Sequence, residues 1–262
     1  MNQKFYQVDS FTDKLFAGNP AGVCPLEAWL PDETMQNIAA ENNLSETAFY
    51  ISVGDQYEIR WFTPTIEVDL CGHATLAAAF VLFNHEGHKK DIIEFLSPRS
   101  GRLTVSRDDK LMTLNFPTDT IIEIPVTDEV IYGLNIEPER AYRGKTDVVL
   151  VYNTQEDVEN LTPDFLLLAK INARGVIVTA PGNNTDFVSR FFGPNAGVNE
   201  DPVTGSAHTS LTPYWTKALG KNKLTAKQLS SRGGSLECTF LNDRVEISGQ
   251  ARLYLKGEIF IS

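Results

Sequence analysis

The chain has 262 residues, 42% hydrophobic and 22% charged, which fits a globular protein with one large domain or two small ones. Acidic residues (34) outnumber Lys and Arg (23), giving a net charge of −11 that excludes the basic stripe needed for nucleic-acid binding. No apolar run reaches the roughly 20 residues of a membrane span. The first ten residues also lack a secretion signal. We therefore expect a cytoplasmic protein with neither nucleic acid nor membrane as partner.

The first half of the chain predicts strands around one apolar helix. Alternation over 4–10 predicts a strand, and 18–22 is rich in turn residues. Pro31 with Asp32 and Glu33 predicts the start of a short helix that ends near Asn42 and Asn43. Residues 74–83 are almost all apolar, which predicts a helix buried on every side. Further strands are expected at 47–53, 58–63, 92–96, 101–107 and 111–116.

The second half repeats this order of elements. A polar, glycine-bearing turn at 193–206 leads into a helix that ends near Leu219. Strands are expected at 148–152, 175–180, 186–192, 236–240, 244–248 and 251–261.

The repetition predicts an α+β fold of two pseudo-symmetric domains, residues 1–116 and 117–262. Each domain is expected to wrap a curved, mostly antiparallel sheet around a central buried helix. The pattern leaves open that the last strand crosses back to the first domain. The cleft between two such domains is the natural ligand site.

The two turn–helix junctions are the first candidates for a binding site. The first backbone N–H groups of a helix lack internal partners, and the dipole adds about half a positive charge. Gly72 and Gly205 would let a ligand approach that backbone closely. Two such helix ends would bind a carboxylate despite the negative net charge. The alternative is that both are ordinary capped helix starts.

Several sequence blocks, in order along nearly the whole chain, together resemble one family. They include Leu44-Ser45-Glu46-Thr47, Cys71-Gly72-His73 and Asp201-Pro202-Val203-Thr204-Gly205-Ser206. In this order the blocks are similar to those of the PhzF-like proteins of phenazine biosynthesis. The full set lies at 8–12, 18–22, 44–49, 60–64, 67–75, 190–192, 200–208 and 213–215.

The resemblance implies the fold of diaminopimelate epimerase, a homodimer, and catalysis without a cofactor or metal. It places the catalytic acid/base carboxylate on Glu46, with His73 and Asp201 as further catalytic residues. It also implies a set of substrate-binding residues: Asn19, Gly72, His73, Gly205 and Ser206. Residues 117–185 resemble nothing that informs function.

The chemistry of Glu46 agrees with this role. A carboxylate desolvated in a closed cleft has a raised pKa that approaches ~6–7, which suits it to accept and return a proton at neutral pH. The alternative, on the residue type alone, is a solvated turn residue, because Glu is mostly exposed. Our hypothesis is that Glu46 removes a proton from an activated C–H group and returns it at another carbon.

The other polar candidates each have a functional and a structural interpretation. A helix N-terminus favours the neutral imidazole of His73 as a hydrogen-bond donor; the alternative is a packing residue. Asp201 would orient substrate or shuttle a proton, and Ser206 would donate to a substrate carboxylate. For both, the alternative is a helix cap.

The cysteines do not form a framework. Cys24, Cys71 and Cys238 are widely spaced and include no CxxC pair, which argues against a disulfide network or a structural zinc site. Cysteine-dependent epimerases on this fold use two opposed thiols. Cys71 resembles one of them, but residues 201–207 contain no cysteine. A buried, inert thiol is the other interpretation of Cys71.

The sequence thus predicts a cofactor-independent isomerase acting on a small carboxylate substrate. Two alternatives stay open: an amino-acid racemase or epimerase on the same fold, and a non-catalytic protein that binds a small ligand or a partner. Fold analogy does not name the substrate.

Overall fold

The computed structural model describes residues 2–261. The chain forms two compact units. The first comprises the chain up to Asn115 together with the segment from Ser248 onward, and the second is Phe116–Ile247. Across the described range, none of the helices has the length and apolar character needed to cross a membrane.

Both units consist mainly of strands, with helices between them. In chain order, the first unit holds β1 (Asn2–Ser10), β2 (Asn19–Leu26), α1 (Asp32–Asn42), β3 (Glu46–Val53), β4 (Gln56–Phe62), β5 (Glu67–Val68), α2 (Gly72–Asn84), β6 (Ile92–Ser97), β7 (Gly101–Asp108) and β8 (Leu111–Pro117). The second holds β9 (Ile122–Ile124), α3 (Asp128–Leu134), β10 (Arg140–Arg143), β11 (Val148–Val151), α4 (Gln155–Glu159), α5 (Phe165–Leu168), β12 (Val176–Pro181), β13 (Phe187–Phe192), α6 (Ala207–Leu219), β14 (Lys223–Gln228), β15 (Gly234–Phe240) and β16 (Arg244–Gly249). The final strand, β17 (Ala251–Phe260), belongs to the first unit.

The apolar helix α2 is the centre of the first unit. Its residues from Gly72 to Ala79 are all buried, and the helix packs on β1, β2, β3 and β17. This confirms the prediction of a helix enclosed on every side: a helix without a polar face gains most free energy when all faces leave water. The surrounding sheet is mostly antiparallel, with β2–β3 and β4–β6 as parallel pairs.

The segment 18–22 is a strand rather than the turn expected from its composition. Only Gly18 turns, with φ +69°, and a Cβ there would lie 2.2 Å from the Ser10 carbonyl oxygen. From Asn19 onward the chain pairs antiparallel with β1, Ser10 opposite Asn19. Pro20 and Gly22 are tolerated in this strand because tertiary pairing overrides their weak strand preference.

The second unit has its own core and its own main helix, α6. The core gathers buried side chains from β10 to β13 and from the short helices. Helix α6 packs on β14 and β15, and Trp215 donates its indole N–H to Thr179 Oγ1 at 2.9 Å. The expected strands at 148–152, 175–180 and 186–192 are present. The sequence did not predict β9, β10, β14, α3, α4 or α5.

The C-terminal strand joins the first unit. The expected division ran 1–116 and 117–262 and left open that the last strand crosses back to the first domain; the segment from Ser248 onward packs with the first unit. The reason is strand pairing: β17 runs antiparallel to β1 from Asn2 opposite Phe260 to Ser10 opposite Ala251. The division after Asn115 lies next to the expected boundary.

Truncation of Leu76 to alanine tests the central role of α2. Leu76 is fully buried, whereas Leu15 of the same unit is 47% exposed. Leu76→Ala is expected to lower the free energy of unfolding by roughly 2–5 kcal/mol, because a buried Leu→Ala leaves a cavity. The matched Leu15→Ala should change it by roughly 0.5 kcal/mol or less. Chemical denaturation measures both; equal effects would show that α2 is not the core.

Candidate active site

Three chain segments of the first unit meet at one point. Asn19 begins β2 and Glu46 begins β3, and these two strands run parallel with Ala21 opposite Glu46. Cys71 precedes α2, whose second residue is His73. The parallel register brings the starts of the two strands together, and packing of α2 on both strands brings the start of the helix beside them.

His73 lies between a carboxylate and an amide. Its Nε2 is 3.2 Å from Glu46 Oε2, and its Nδ1 is 3.2 Å from Asn19 Nδ2. His73 is only 4% exposed, while the Glu46 side chain keeps 18% of its surface open. The imidazole is thus enclosed, and the carboxylate is the member of the group that solvent or a ligand reaches.

The neighbours of His73 define its tautomer. Nδ1 faces the Asn19 amide N–H and, at 3.5 Å, the Cys71 thiol, so it accepts a hydrogen bond. The ring proton then resides on Nε2, which lies 3.2 Å from Glu46 Oε2 but makes no hydrogen bond within residues 2–261. Burial lowers the pKa of His73 to about 3, which keeps the imidazole neutral. The cause of the lowered pKa is desolvation by burial, whereas the expectation from the sequence was an effect of the helix dipole.

Backbone contacts fix the start of α2. Ser10 Oγ donates to the His73 carbonyl at 2.8 Å, and Thr75 Oγ1 donates to the Cys71 carbonyl at 2.6 Å. The side chain of the N-cap residue, Cys71, makes no capping hydrogen bond to the first turn of α2. Gly72, the first helical residue, is buried.

Cys71 is a member of the same group. Glu46, Cys71 and His73 each place one donor atom within 4.8 Å of the other two. Like Cys71, the thiols of Cys24 and Cys238 are buried. Burial raises the pKa of the Cys24 and Cys238 thiols well above the ordinary range, which makes those two thiols inert.

The turn before α6 in the second unit is held by Gln228. This fully buried side chain donates to the Asp201 carbonyl at 2.7 Å and accepts from the Thr204 N–H at 2.8 Å. Thr204 Oγ1 in turn donates to the Asp201 carboxylate. Gln228 ends β14, a strand that the sequence did not predict, so its role was missed.

Ser206 is anchored by a charged pair instead of capping α6. Its side chain makes no capping hydrogen bond within the described chain; it accepts one from Arg174 Nη2 at 3.1 Å. Arg174 is itself held by both oxygens of Asp147, which is 4% exposed. Because Ser206 Oγ accepts from Arg174, its own proton remains available for donation. Gly205, just before it, is buried.

His208 is the second residue of α6. Nδ1 is 2.9 Å from the Thr204 carbonyl oxygen, which only accepts, so Nδ1 carries the proton. Burial lowers the pKa of His208 to about 4, although the hydrogen bond to Thr204 opposes the shift. Nε2 is buried and has no hydrogen-bond partner among residues 2–261.

The sequence-derived candidates therefore fall into two groups. Asn19, Glu46, Gly72 and His73 come together in the first unit, and Asp201, Gly205 and Ser206 share one turn in the second. Sequence reasoning missed Arg174, Asp147 and Gln228. Arg174 and Asp147 lie within the segment 117–185, which carries no motif; the only signal was a lone charged residue beside an apolar strand.

Comparison with solved structures identifies the class of fold. A probable proline racemase from Agrobacterium radiobacter K84 shares the fold, with a TM-score of 0.64 at 9% identity, over 99% of this chain and 93% of that one. The fold is thus the two-unit α+β architecture found in racemases and epimerases.

Closer relatives define the family. The sequence model for phenazine biosynthesis-like protein, PhzC-PhzF, matches residues 8–257. A crystal structure of a PhzF-family phenazine biosynthesis protein from Enterococcus faecalis has a TM-score of 0.97 and 48% identity, covering 100% of both chains. An uncharacterized isomerase of Pseudomonas aeruginosa is 51% identical over 263 residues, again covering 100% of both. This chain belongs to the PhzF family and is an enzyme of the isomerase class.

The two buried histidines are predicted to hold opposite tautomers. At pH 5, His73 should be neutral with its proton on Nε2, and His208 neutral with its proton on Nδ1. Long-range ¹H–¹⁵N NMR of ¹⁵N-histidine protein distinguishes these states, and His73→Gln and His208→Gln assign the signals. If His73 titrated with a midpoint near the ordinary histidine pKa of about 6.5, its imidazole would not be buried as the structure shows.

Proposed function

We propose that this isomerase moves a proton on a small carboxylate substrate without a cofactor, with Glu46 as the acid/base group. The supporting observation is the 3.2 Å contact between Glu46 Oε2 and a buried His73. A carboxylate that is partly open and lies beside an enclosed imidazole has the position required of a general base. His73 stays neutral because burial disfavours its charged form, and in the proposed mechanism its Nε2–H turns toward Glu46 when substrate binds.

The site contains one cysteine, Cys71, and a mechanism in which a single carboxylate transfers the proton does not require a second one. A two-thiol racemase needs a second cysteine in the matching turn, and residues 201–207 contain none. Glu46 would take a proton from a carbon acidified by the substrate carboxylate, and deliver it to another carbon of the same molecule. The product is then a positional isomer, with a shifted double bond, rather than an inverted stereocentre.

Within the second unit, Asp201 and Ser206 are proposed as ligand-binding residues. Ser206 Oγ accepts from Arg174, so its proton is available to donate to a substrate carboxylate. Arg174 is paired with both oxygens of Asp147, so its contribution is to fix the position of the Ser206 hydroxyl rather than to add net charge. Asp201 orients the substrate. We further propose a cytoplasmic homodimer.

Loss of the Glu46 carboxylate tests the proposed base. The protein is incubated in D₂O with a panel of small unsaturated carboxylic acids and amino acids, and NMR follows deuterium uptake and product structure. Glu46→Gln should lower the exchange rate by about 10²–10⁴, the usual contribution of general acid/base catalysis. The exposed Glu41→Gln is the matched control.

Circular dichroism shows whether each variant keeps its fold. Exchange that survives in a folded Glu46→Gln would remove Glu46 as the base. Exchange with inversion at the original carbon would assign an epimerase instead.

Removal of the Ser206 hydroxyl tests substrate binding. Ser206→Ala should raise KM about tenfold, equal to roughly 1.4 kcal/mol, with a smaller change in kcat, because one hydrogen bond to a charged group is lost. The matched control is Ser230→Ala, which removes a hydroxyl bonded to the Pro202 carbonyl in the same unit. An unchanged KM in Ser206→Ala would show that Ser206 does not contact substrate.

A further inference from the structure

Two polar side chains, Thr204 and Gln228, connect Asp201 to the interior of the second unit. Gln228 is fully buried and Thr204 is 6% exposed, whereas Asp201 is partly exposed. Gln228 Nε2 lies 3.2 Å from Thr204 Oγ1, and Thr204 Oγ1 is hydrogen-bonded to Asp201 Oδ2. The three side chains therefore form a hydrogen-bond chain that ends at a partly open carboxylate.

Backbone groups fix the orientation of the Gln228 amide. Its Oε1 accepts from the Thr204 N–H at 2.8 Å, and its Nε2 donates to the Asp201 carbonyl oxygen at 2.7 Å. A backbone N–H only donates and a carbonyl oxygen only accepts, so the reversed amide would lose both hydrogen bonds. The second Nε2 proton of Gln228 is therefore directed at Thr204 Oγ1.

This orientation also decides where the Thr204 hydroxyl proton lies. A threonine hydroxyl has one proton and two lone pairs. Because one lone pair accepts from Gln228, the hydroxyl donates its own proton to Asp201 Oδ2. If Asp201 carried a proton on Oδ2, the Thr204 proton would lose this acceptor. The hydrogen-bond chain thus favours the ionised carboxylate, since a bond donated to the charged form stabilises it.

We propose that Gln228 and Thr204 are positioning residues that hold Asp201 as an ionised hydrogen-bond acceptor. Asp201 then orients a ligand by accepting from one of its N–H or O–H groups, and proton transfer is left to Glu46. Of the two roles expected for Asp201 from the sequence, this proposal selects orientation over proton shuttling. Its link to turnover rests on the proposed function, whereas the hydrogen-bond chain itself does not.

The carboxyl signal of Asp201 tests the proposal without any substrate. The full chain with ¹³Cγ-labelled aspartate is titrated by NMR, and Asp201→Asn assigns the signal. Thr204→Val replaces the hydroxyl with a methyl group, so the Asp201 carboxyl should take up its proton at a pH about one unit higher, a tenfold change in the protonation equilibrium. Thr204→Ser keeps a hydroxyl and should restore the wild-type titration.

The matched control is Thr212→Val. It removes another buried hydroxyl of the same unit, one that donates to the His208 carbonyl oxygen, and should leave the Asp201 titration unchanged. Circular dichroism shows whether each variant keeps its fold. An unmoved Asp201 titration in a folded Thr204→Val, or a Thr204→Ser that behaves like Thr204→Val, would overturn the proposal.

A second measurement uses only the wild-type protein, in case a variant does not fold. NMR detects couplings across hydrogen bonds, and two are expected: from Gln228 Nε2 to the Asp201 carbonyl carbon, and from the Thr204 backbone nitrogen to the Gln228 side-chain carbonyl carbon. If both are absent while the backbone hydrogen bonds of α6 give their couplings, the amide does not have the proposed orientation and the inference fails.

Turnover separates this inference from the proposed function. In the deuterium-exchange assay, Thr204→Val should lower kcat/KM about tenfold, because a misplaced orienting group slows the reaction, and Thr204→Ser should retain it. Unchanged kcat/KM in a Thr204→Val whose Asp201 titration has moved would overturn the role of Asp201 in turnover. If the wild-type protein showed no exchange at all, the proposed function would fail and the titration would still decide the hydrogen-bond chain.

Discussion

The burial of His73 as a neutral imidazole is the constraint around which the first unit's site is built. Charging an enclosed imidazole costs desolvation free energy, so the ring stays neutral and keeps distinct donor and acceptor nitrogens. Asn19 satisfies the acceptor, and the donor is left to face Glu46. A protonated histidine would donate on both sides and lose the complementarity with the Asn19 amide.

The rest of the unit positions these groups through the backbone rather than through side-chain flexibility. Gly18 turns the chain beside the Ser10 carbonyl, which sets the start of β2 and with it Asn19. Ser10 also donates to the His73 carbonyl, so one residue of β1 touches both the turn and the helix start. The β2–β3 register then places Glu46. Rigid elements of this kind hold reacting groups more accurately than loops do.

Sequence patterns predicted the parts of the fold that depend on local chemistry. The apolar run of α2 and the alternating strands were clear, and the quoted blocks predicted where Asn19, Glu46 and His73 would be found.

The strand at Asn19 was missed because glycine and proline indicate turns unless a neighbouring strand pairs with them. Arg174 and Gln228 were missed because each acts through contacts between residues 27 or more positions apart. No spacing rule links Glu46 to Cys71 and His73 either; the β2–β3 register brings them together.

Proton transfer needs three features that this site has: an unshared electron pair, exclusion of water and fixed geometry. A general base uses the Glu46 lone pair on a carbon-bound proton, and the enclosed His73 lies 3.2 Å from that carboxylate. Proton transfer by a carboxylate has no need of the Cys71 thiol, which lies 3.5 Å from the imidazole, so the proposed mechanism assigns Cys71 no chemical step.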